Sequence, residues 1–167
     1  MARGEPLVRC ATSAAQQVCG DRVFTVIGHD MAVVLAALGD DSGFIVVNED
    51  YASGLASSIV RAVNACQGDA DALLIIMADQ PLVTAEHLRS LLEAWSGKEN
   101  EIVATAYAGT VGPPVLFACG AFPDLMKLRG DRGARALFDE ERFDLKTVLF
   151  EPAATDIDTA ADLAPLR

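Results

Sequence analysis

Short apolar runs alternate along this chain with stretches in which apolar residues recur at helical spacing. The runs predict six β-strands, over residues 23–27, 44–47, 72–77, 101–106, 114–117 and 145–151. The other stretches predict α-helices over residues 6–18, 57–66, 84–95, 120–128 and 132–140, with two more beginning after Asp30 and Thr159. Strands that alternate with helices over short connections are typical of a doubly wound, mostly parallel sheet between layers of helices. The predicted fold class is therefore α/β.

Three features of the pattern add detail to this prediction. The unbroken apolar run 72–77 predicts a central parallel strand that is covered on both faces. Asp30 is expected to cap the second helix, whose apolar positions between 33 and 38 should face the core. Two glycines within residues 109–112 predict a hairpin between the fourth and fifth strands.

Acidic residues follow two of the predicted strands, at the edge where parallel sheets bind their ligands. Asp79 comes directly after the most apolar strand, and a carboxylate there could hold Mg²⁺ together with phosphate oxygens and water. Asp156 and Asp158 alternate near the end of the chain and could complete such a site. The alternatives are that Asp79 caps its own turn and that the later pair adds negative charge to the start of the last helix.

Two polar loops supply further candidates. The loop 48–54 ends in Gly54 and leads into a helix with Ser57 and Ser58, where backbone N–H groups and hydroxyls could cradle a base, ribose or phosphate. The segment 130–135 combines glycine and arginine before a helix and could bind an anion. An ordinary capped loop and a solvated helix start are the alternatives. Neither GxGxxG nor GxxxxGK[ST] occurs in the chain.

Composition narrows the classes of partner. The chain has 167 residues, 51% of them apolar and 22% charged, as in one globular domain. Its formal net charge of −11 argues against nucleic-acid binding, because phosphate backbones attract clustered Lys and Arg, and it disfavours an anionic membrane surface. No apolar run approaches the roughly 18 residues that a membrane-spanning helix needs. Residues 1–6 lack the apolar region of a signal peptide, so we expect a cytoplasmic protein without nucleic-acid or membrane partners.

Six stretches in order along the chain carry a resemblance to a known family. They are GEPLV (4–8), NEDYASGLASSI (48–59), ADQPLVT (78–84), GPPVLF (112–117), GDRGAR (130–135) and DIDTAADL (156–163). Together they resemble the molybdenum cofactor cytidylyltransferase branch of the MobA-like nucleotidyltransferases. The fold implied is a Rossmann-like three-layer α/β/α sandwich of the nucleotide-diphospho-sugar transferase type, in a single domain over residues 1–167.

The resemblance also implies a reaction and a set of site residues. The implied reaction transfers CMP from CTP to a molybdopterin phosphate and releases pyrophosphate, with Mg²⁺ as cofactor. Asp79 matches the catalytic, metal-binding aspartate of the family, and Asp156 or Asp158 would be the second carboxylate. Gly54, Ser57 and Ser58 match the stretch that lines the nucleotide site.

The chain departs from the family pattern in two places. The family's first strand and its LAAGxSxRMG loop, followed by a lysine, have no counterpart here. We therefore expect an N-terminally truncated domain with an open sheet edge beside residues 23–27 or 72–77. Pro113 stands where the family's GHPVLF segment has histidine. The alternative function is a degenerate or truncated, non-catalytic domain that binds nucleotide or cofactor, and the expected macromolecular partner is a second copy or a molybdoenzyme.

Overall fold

The computed structural model describes residues 4–39, 43–131 and 133–157. The strands are β1 (Phe24–Ile27), β2 (Phe44–Val47), β3 (Ala72–Ile75), β4 (Glu101–Tyr107), β5 (Thr110–Ala118) and β6 (Asp144–Leu149). The α-helices are α1 (Leu7–Cys19), α2 (Met31–Leu38), α3 (Leu55–Cys66), α4 (Ala85–Ala94) and the single turn α5 (Phe122–Leu125). Short 3₁₀ turns are formed by Tyr51–Ser53, Cys119–Ala121, Ala134–Asp139 and Glu151–Ala154.

The strands form two sheets with helices on both sides. β1 and β2 pair in parallel, and the other four strands have the order β3-β5-β4-β6. β5 is antiparallel to both β3 and β4, whereas β4 and β6 are parallel. α1 contacts α2 and α4, while α3 contacts α5, β1 and β2. The α/β class and the layered arrangement are as predicted, and β4 and β5 form the predicted hairpin.

Residues 72–77 do not form the central parallel strand that was predicted. β3 is shorter, it pairs with the antiparallel β5, and all four of its residues are only half-buried. No described strand pairs with the other edge of β3, or with the edge of β1 that faces away from β2. A continuous apolar run does not distinguish a central strand from an edge strand between helices, which is why the prediction failed. Whether these edges are open in solution stays a prediction.

The core lies around β4 and β5, whose side chains alternate between the two faces of the sheet. On one face Ile102, Ala104 and Phe117 pack with residues of α3, including the fully buried Val63. On the other face Val103 and Leu116 pack with Leu91 of α4. Thr84 caps α4 as predicted, since its side chain accepts a hydrogen bond from the backbone N–H of His87. β4 and β5 are therefore packed on both faces and form the centre of the core.

The second helix differs from the prediction in its cap and in its buried face. Asp30 takes the N-cap position in a left-handed conformation without a side-chain cap, and its carboxylate instead pairs with His29 at 3.1 Å. Within α2 only Leu38 is buried, and Val33 is 68% exposed. A helix made only of apolar residues has no polar face to orient it, so its sequence could not identify the buried side. In the described part of the chain no helix is long and apolar enough to cross a membrane.

Three predicted helices near the C-terminal end also need correction. Of residues 120–128, only Phe122–Leu125 form an α-helix, after a 3₁₀ turn. In the segment 132–140, a 3₁₀ helix forms over Ala134–Asp139. The helix expected after Thr159 lies outside the described residues.

A buried carboxylate joins β4 to β6 and to the turn after α4. Glu101 is fully buried, and its carboxylate accepts hydrogen bonds from the Ser96 backbone N–H at 2.7 Å and hydroxyl at 2.5 Å. The ammonium group of Lys146 lies 2.8 Å from the same carboxylate, and that of Lys98 lies 3.9 Å away. Lys146 and Ser96 together lower the pKa of Glu101 from 4.5 to about 2. The carboxylate is therefore ionised and fully partnered at neutral pH.

We expect β3 to exchange its amide hydrogens faster than β4, by about tenfold or more, because β3 has one paired edge and β4 has two. Hydrogen–deuterium exchange with mass spectrometry or NMR on peptides covering residues 72–75 and 101–107 measures this. Equal protection of the two strands would show that the open edge of β3 is covered in solution.

Replacing Glu101 with Gln should lower the free energy of unfolding at neutral pH and flatten its dependence on acid. Because the folded-state pKa is depressed, the stabilisation by Glu101 is complete above about pH 4.5 and declines as the pH falls towards about 2. Urea denaturation between these pH values measures the effect, and the exposed Glu93→Gln is the matched control. An unchanged acid profile in Glu101→Gln would contradict this assignment.

Candidate functional site

Strand direction brings three chain segments to one edge of the four-stranded sheet. β3, β4 and β6 run in the same direction, because β5 is antiparallel to β3 and β4 and β4 is parallel to β6. Their carboxyl ends lead into Asp79, Tyr107 and the segment 150–157, respectively. The edge predicted to bind a ligand is therefore formed by these three segments.

The chain segments that carry two of the three predicted metal-binding carboxylates meet at this edge. The backbone N–H of Ile157 donates a hydrogen bond to the carbonyl oxygen of Asp79 at 2.9 Å, which brings Asp156 next to Asp79. Asp79 is half-buried and Asp156 is exposed. Asp158 lies outside the described residues. No group of three or more acidic, histidine or cysteine side chains suited to a metal occurs in the described chain.

The hydroxyl of Tyr107 lies within the field of both carboxylates. Burial raises the pKa of Tyr107, and the charges of Asp156 and Asp79 raise it further, while Gln80 and Arg135 act in the opposite direction. The phenol therefore keeps its proton at neutral pH and is a hydrogen-bond donor. Gly112 leaves room for this hydroxyl, since a Cβ atom there would lie 2.5 Å from the phenol oxygen.

Gln80 connects this edge to two distant parts of the chain. Its side chain is buried, and its Nε2 donates to the carbonyl oxygens of Pro113 at 3.1 Å and Ala153 at 2.8 Å. Its Oε1 is buried without a hydrogen-bond partner among the described residues. Neither Gln80 nor Tyr107 was predicted as a site residue. The position of Gln80 directly after Asp79 could have drawn attention to it. The groups that accept hydrogen bonds from Gln80 are main-chain carbonyls, however, and no sequence motif identifies these.

The predicted nucleotide loop is held together by Asn48. This side chain is 1% exposed, and its Nδ2 donates to the hydroxyl oxygens of Ser57 at 2.8 Å and Ser58 at 3.0 Å. The Ser57 hydroxyl donates in turn to the Gly54 carbonyl at 2.8 Å. The backbone N–H of Ser57 also donates to the Gly54 carbonyl. Two of the donors that were expected to face a ligand, the N–H and the hydroxyl of Ser57, are therefore bonded within the loop. Ser58 accepts from Asn48, and its own O–H has no acceptor among the described residues.

The start of α3 packs directly on the segment that follows α5, so two of the predicted loops meet. The backbone N–H of Ala56 donates to the Gly130 carbonyl at 3.0 Å. Gly54 has φ +106°, and a Cβ atom there would lie 2.5 Å from both Asp131 Oδ1 and the Gly130 carbonyl carbon. Glycine is therefore required at position 54, as a packing residue. Whether Gly54, Ser57 and Ser58 contact a nucleotide stays a prediction.

Farther along the same segment, Arg135 reaches the β4–β5 hairpin. Its guanidinium donates a hydrogen bond to the hydroxyl of Thr110, and its charge lowers the pKa of Tyr107. Of the arginines predicted as anion ligands in the segment 130–135, Arg135 is thus placed near the carboxylate edge. Pro113, where the resemblance predicts histidine, contributes its carbonyl to Gln80.

Comparison with known proteins identifies the family and the fold. Residues 1–146 match the family model described as the MobA-like NTP transferase domain. The purine catabolism protein PucB of Bacillus subtilis is 27% identical over 113 residues, which are 67% of this chain and 54% of PucB. The chain thus spans about half the length of that curated relative.

Solved structures extend the likeness over almost the whole chain. Rv0371c from Mycobacterium tuberculosis is 28% identical with a TM-score of 0.84, covering 99% of this chain and 85% of that one. The same protein has also been crystallised in complex with manganese. A nucleotidyl transferase from Methanothermobacter thermautotroptrophicus, at 24% identity and a TM-score of 0.84 over 100% of this chain and 81% of that one, shares the fold. These neighbours have the nucleotide-diphospho-sugar transferase fold.

Replacing Gly54 with Ala should cost about 2 kcal/mol of stability or more, because alanine is strained at this positive φ and its Cβ atom would collide with Gly130 and Asp131. Gly39 is a matched control: it has φ +65° and no atom within 4 Å of a Cβ position, so Gly39→Ala tests backbone strain alone, at about 1 kcal/mol. Urea denaturation measures both. Equal losses would show that the contact between α3 and the 130–131 segment adds nothing.

Proposed function

The chain belongs to the MobA-like NTP transferase family, and on this premise we propose that it is a magnesium-dependent nucleotidyltransferase. Its proposed substrates are CTP and a molybdopterin-type cofactor, and its proposed products are the cytosine dinucleotide form and pyrophosphate. The observation that supports this most directly is the pairing of Asp79 with the segment carrying Asp156, at a hydrogen-bond distance of 2.9 Å. Family membership supports the transferase activity, and the resemblance of the six sequence stretches supports the choice of CTP and pterin.

The carboxylate pair fits the metal that this chemistry uses. Mg²⁺ is commonly bound through one or two carboxylates, with phosphate oxygens and water as its other ligands. Asp79 and Asp156 would hold the ion, and Asp158 is proposed as an alternative second ligand. When bound, the ion would neutralise charge on the phosphates. The manganese complex of Rv0371c supports a divalent cation in proteins of this kind.

In the proposed reaction, a phosphate oxygen of the pterin forms a bond to the α-phosphorus of CTP. The bond from that phosphorus to the oxygen bridging to the β-phosphate breaks, and pyrophosphate leaves with the electron pair. Such a step depends on alignment and charge more than on a protein nucleophile. Ser58 and Tyr107 can each donate an O–H to the substrates, and Gly54 and Ser57 shape the loop that would receive the nucleotide.

The proposed partners follow from the substrates. Both are small anionic molecules, and a molybdoenzyme or a second copy of the chain is the proposed macromolecular partner. A cytoplasmic location is part of the same proposal. The alternative, a domain that binds nucleotide without turnover, is separated from the enzyme by the experiment below.

Replacing Asp79 with Asn should raise the dissociation constant for Mn²⁺ by about tenfold or more, because one anionic ligand is lost. The change keeps the shape of the side chain, so the free energy of unfolding should move by less than about 1 kcal/mol. Calorimetric titration with Mn²⁺ in the presence of CTP measures the affinity, and urea denaturation measures stability. Pyrophosphate release from CTP and molybdopterin should be lost in the same variant.

Glu93→Gln on α4 removes one exposed negative charge near the opposite edge of the sheet and is the matched control. Unchanged Mn²⁺ affinity in Asp79→Asn, together with a clear loss of stability, would assign Asp79 to its turn and reject the metal site. Binding of CTP by the wild type without pyrophosphate release would favour the non-catalytic alternative. A parallel titration with GTP tests the choice of base.

A further inference from the structure

The Gln80 side chain links the exit of β3 both to β5 and to the segment after β6. Its amide group donates two hydrogen bonds to main-chain carbonyls, one on Pro113 and one on Ala153, which lie 33 and 73 residues away in the chain. The residue is 7% exposed, so water does not compete for these bonds. A single amide thus joins three segments of the candidate site.

Only a glutamine provides this set of contacts. A glutamate of the same length has no N–H to donate and would point its charge at two carbonyl oxygens. An apolar side chain would leave both carbonyls without these donors, and asparagine is one methylene shorter. The Oε1 atom gains nothing from burial, because it has no hydrogen-bond partner among the described residues. Hydrogen bonds are therefore what the buried amide contributes: two to main-chain carbonyls, and one to Tyr107 that lowers the pKa of that phenol.

Two hydrogen bonds, made by residues 79 and 80, hold the chain on both sides of Asp156. Ala153 is bound by the Gln80 side chain, and Ile157 is bound by the Asp79 carbonyl at 2.9 Å. Asp156 lies between these two attachment points, so its distance from Asp79 is limited on both sides. Loss of the Ala153 attachment would leave the segment held at one end, and the exposed Asp156 would be free to move away.

We propose that Gln80 is the positioning residue of this site: it fixes the segment that carries Asp156 against Asp79, so that both carboxylates can bind one divalent cation. The proposal rests on the function proposed above. Gln80 is proposed to act through Asp156 and not as a ligand, since its oxygen is buried and its Nε2 donates to two main-chain carbonyls.

The test is Gln80→Met, which keeps the length of the side chain and removes both donors. Calorimetric titration with Mn²⁺ should give a dissociation constant about tenfold higher than that of the wild type, as expected when a supporting hydrogen bond of a metal site is lost. Hydrogen exchange at the Ile157 amide should become faster without added metal. Gln17→Met is the matched control, because Gln17 is exposed and donates a single bond within its own helix.

A second control separates positioning from general loss of stability. Leu91 is fully buried between α4 and the sheet, so Leu91→Ala destabilises the fold away from this edge. It should leave the Mn²⁺ affinity of the folded protein unchanged. If Gln80→Met does not fold, Gln80→Asn retains the amide and is measured in the same way, with the same loss of affinity expected.

Wild-type Mn²⁺ affinity in a folded Gln80 variant, or an equal loss of affinity in Leu91→Ala, would overturn the proposal and leave the proposed function standing. A wild type that does not bind Mn²⁺ would overturn both. Unchanged exchange at the Ile157 amide would overturn the structural link on which the proposal depends.

Discussion

The antiparallel direction of β5 determines which strand ends meet at the edge of the sheet that carries the candidate site. β5 runs antiparallel between β3 and β4, so β3 and β4 must be parallel to each other, and β6 is parallel to β4. Their carboxyl ends are consequently on one side, and the residues after them meet there. The buried alternation of β4 and β5 against α3 and α4 holds this arrangement, because a register shift of one residue would expose the apolar face.

The candidate site is divided between the two-stranded and the four-stranded sheet, whose strands do not pair with each other in the described part of the chain. The carboxylate pair belongs to the four-stranded sheet, whereas Asn48 follows β2 of the two-stranded sheet. α3 connects them: its first turn is bound to Asn48 and to Gly130, and its buried face, including Val63, packs on the larger sheet. The position of the candidate nucleotide loop relative to Asp79 and Asp156 therefore depends on this helix more than on strand pairing.

Features that depend on a short stretch of sequence were predicted correctly, and features that depend on contacts between distant residues were not. The Thr84 cap and the β4–β5 hairpin were predictable, because each rests on a short motif. The rule that ligands bind at strand ends also indicated that the segment after β6 lies near Asp79, as the hydrogen bond between Ile157 and Asp79 shows. The role of residues 72–77 was not predictable, since an edge strand under helices is as apolar as a central one. Gln80 could not be predicted either, because both of its acceptors are main-chain carbonyls brought close only by the fold.

At the proposed site, the charge of this edge would also set the form in which a nucleotide approaches it. The chain carries a net charge of −11, and the fields of Asp79 and Asp156 both raise the pKa of Tyr107. A free triphosphate is repelled by the same two carboxylates, whereas a divalent cation between carboxylates and phosphates makes both contacts attractive. The neutral Tyr107 hydroxyl adds a hydrogen-bond donor without another negative charge. If the site is the one proposed, it selects the metal complex of the nucleotide over the free nucleotide by electrostatics, and Gln80 controls this selection through the spacing of the two carboxylates.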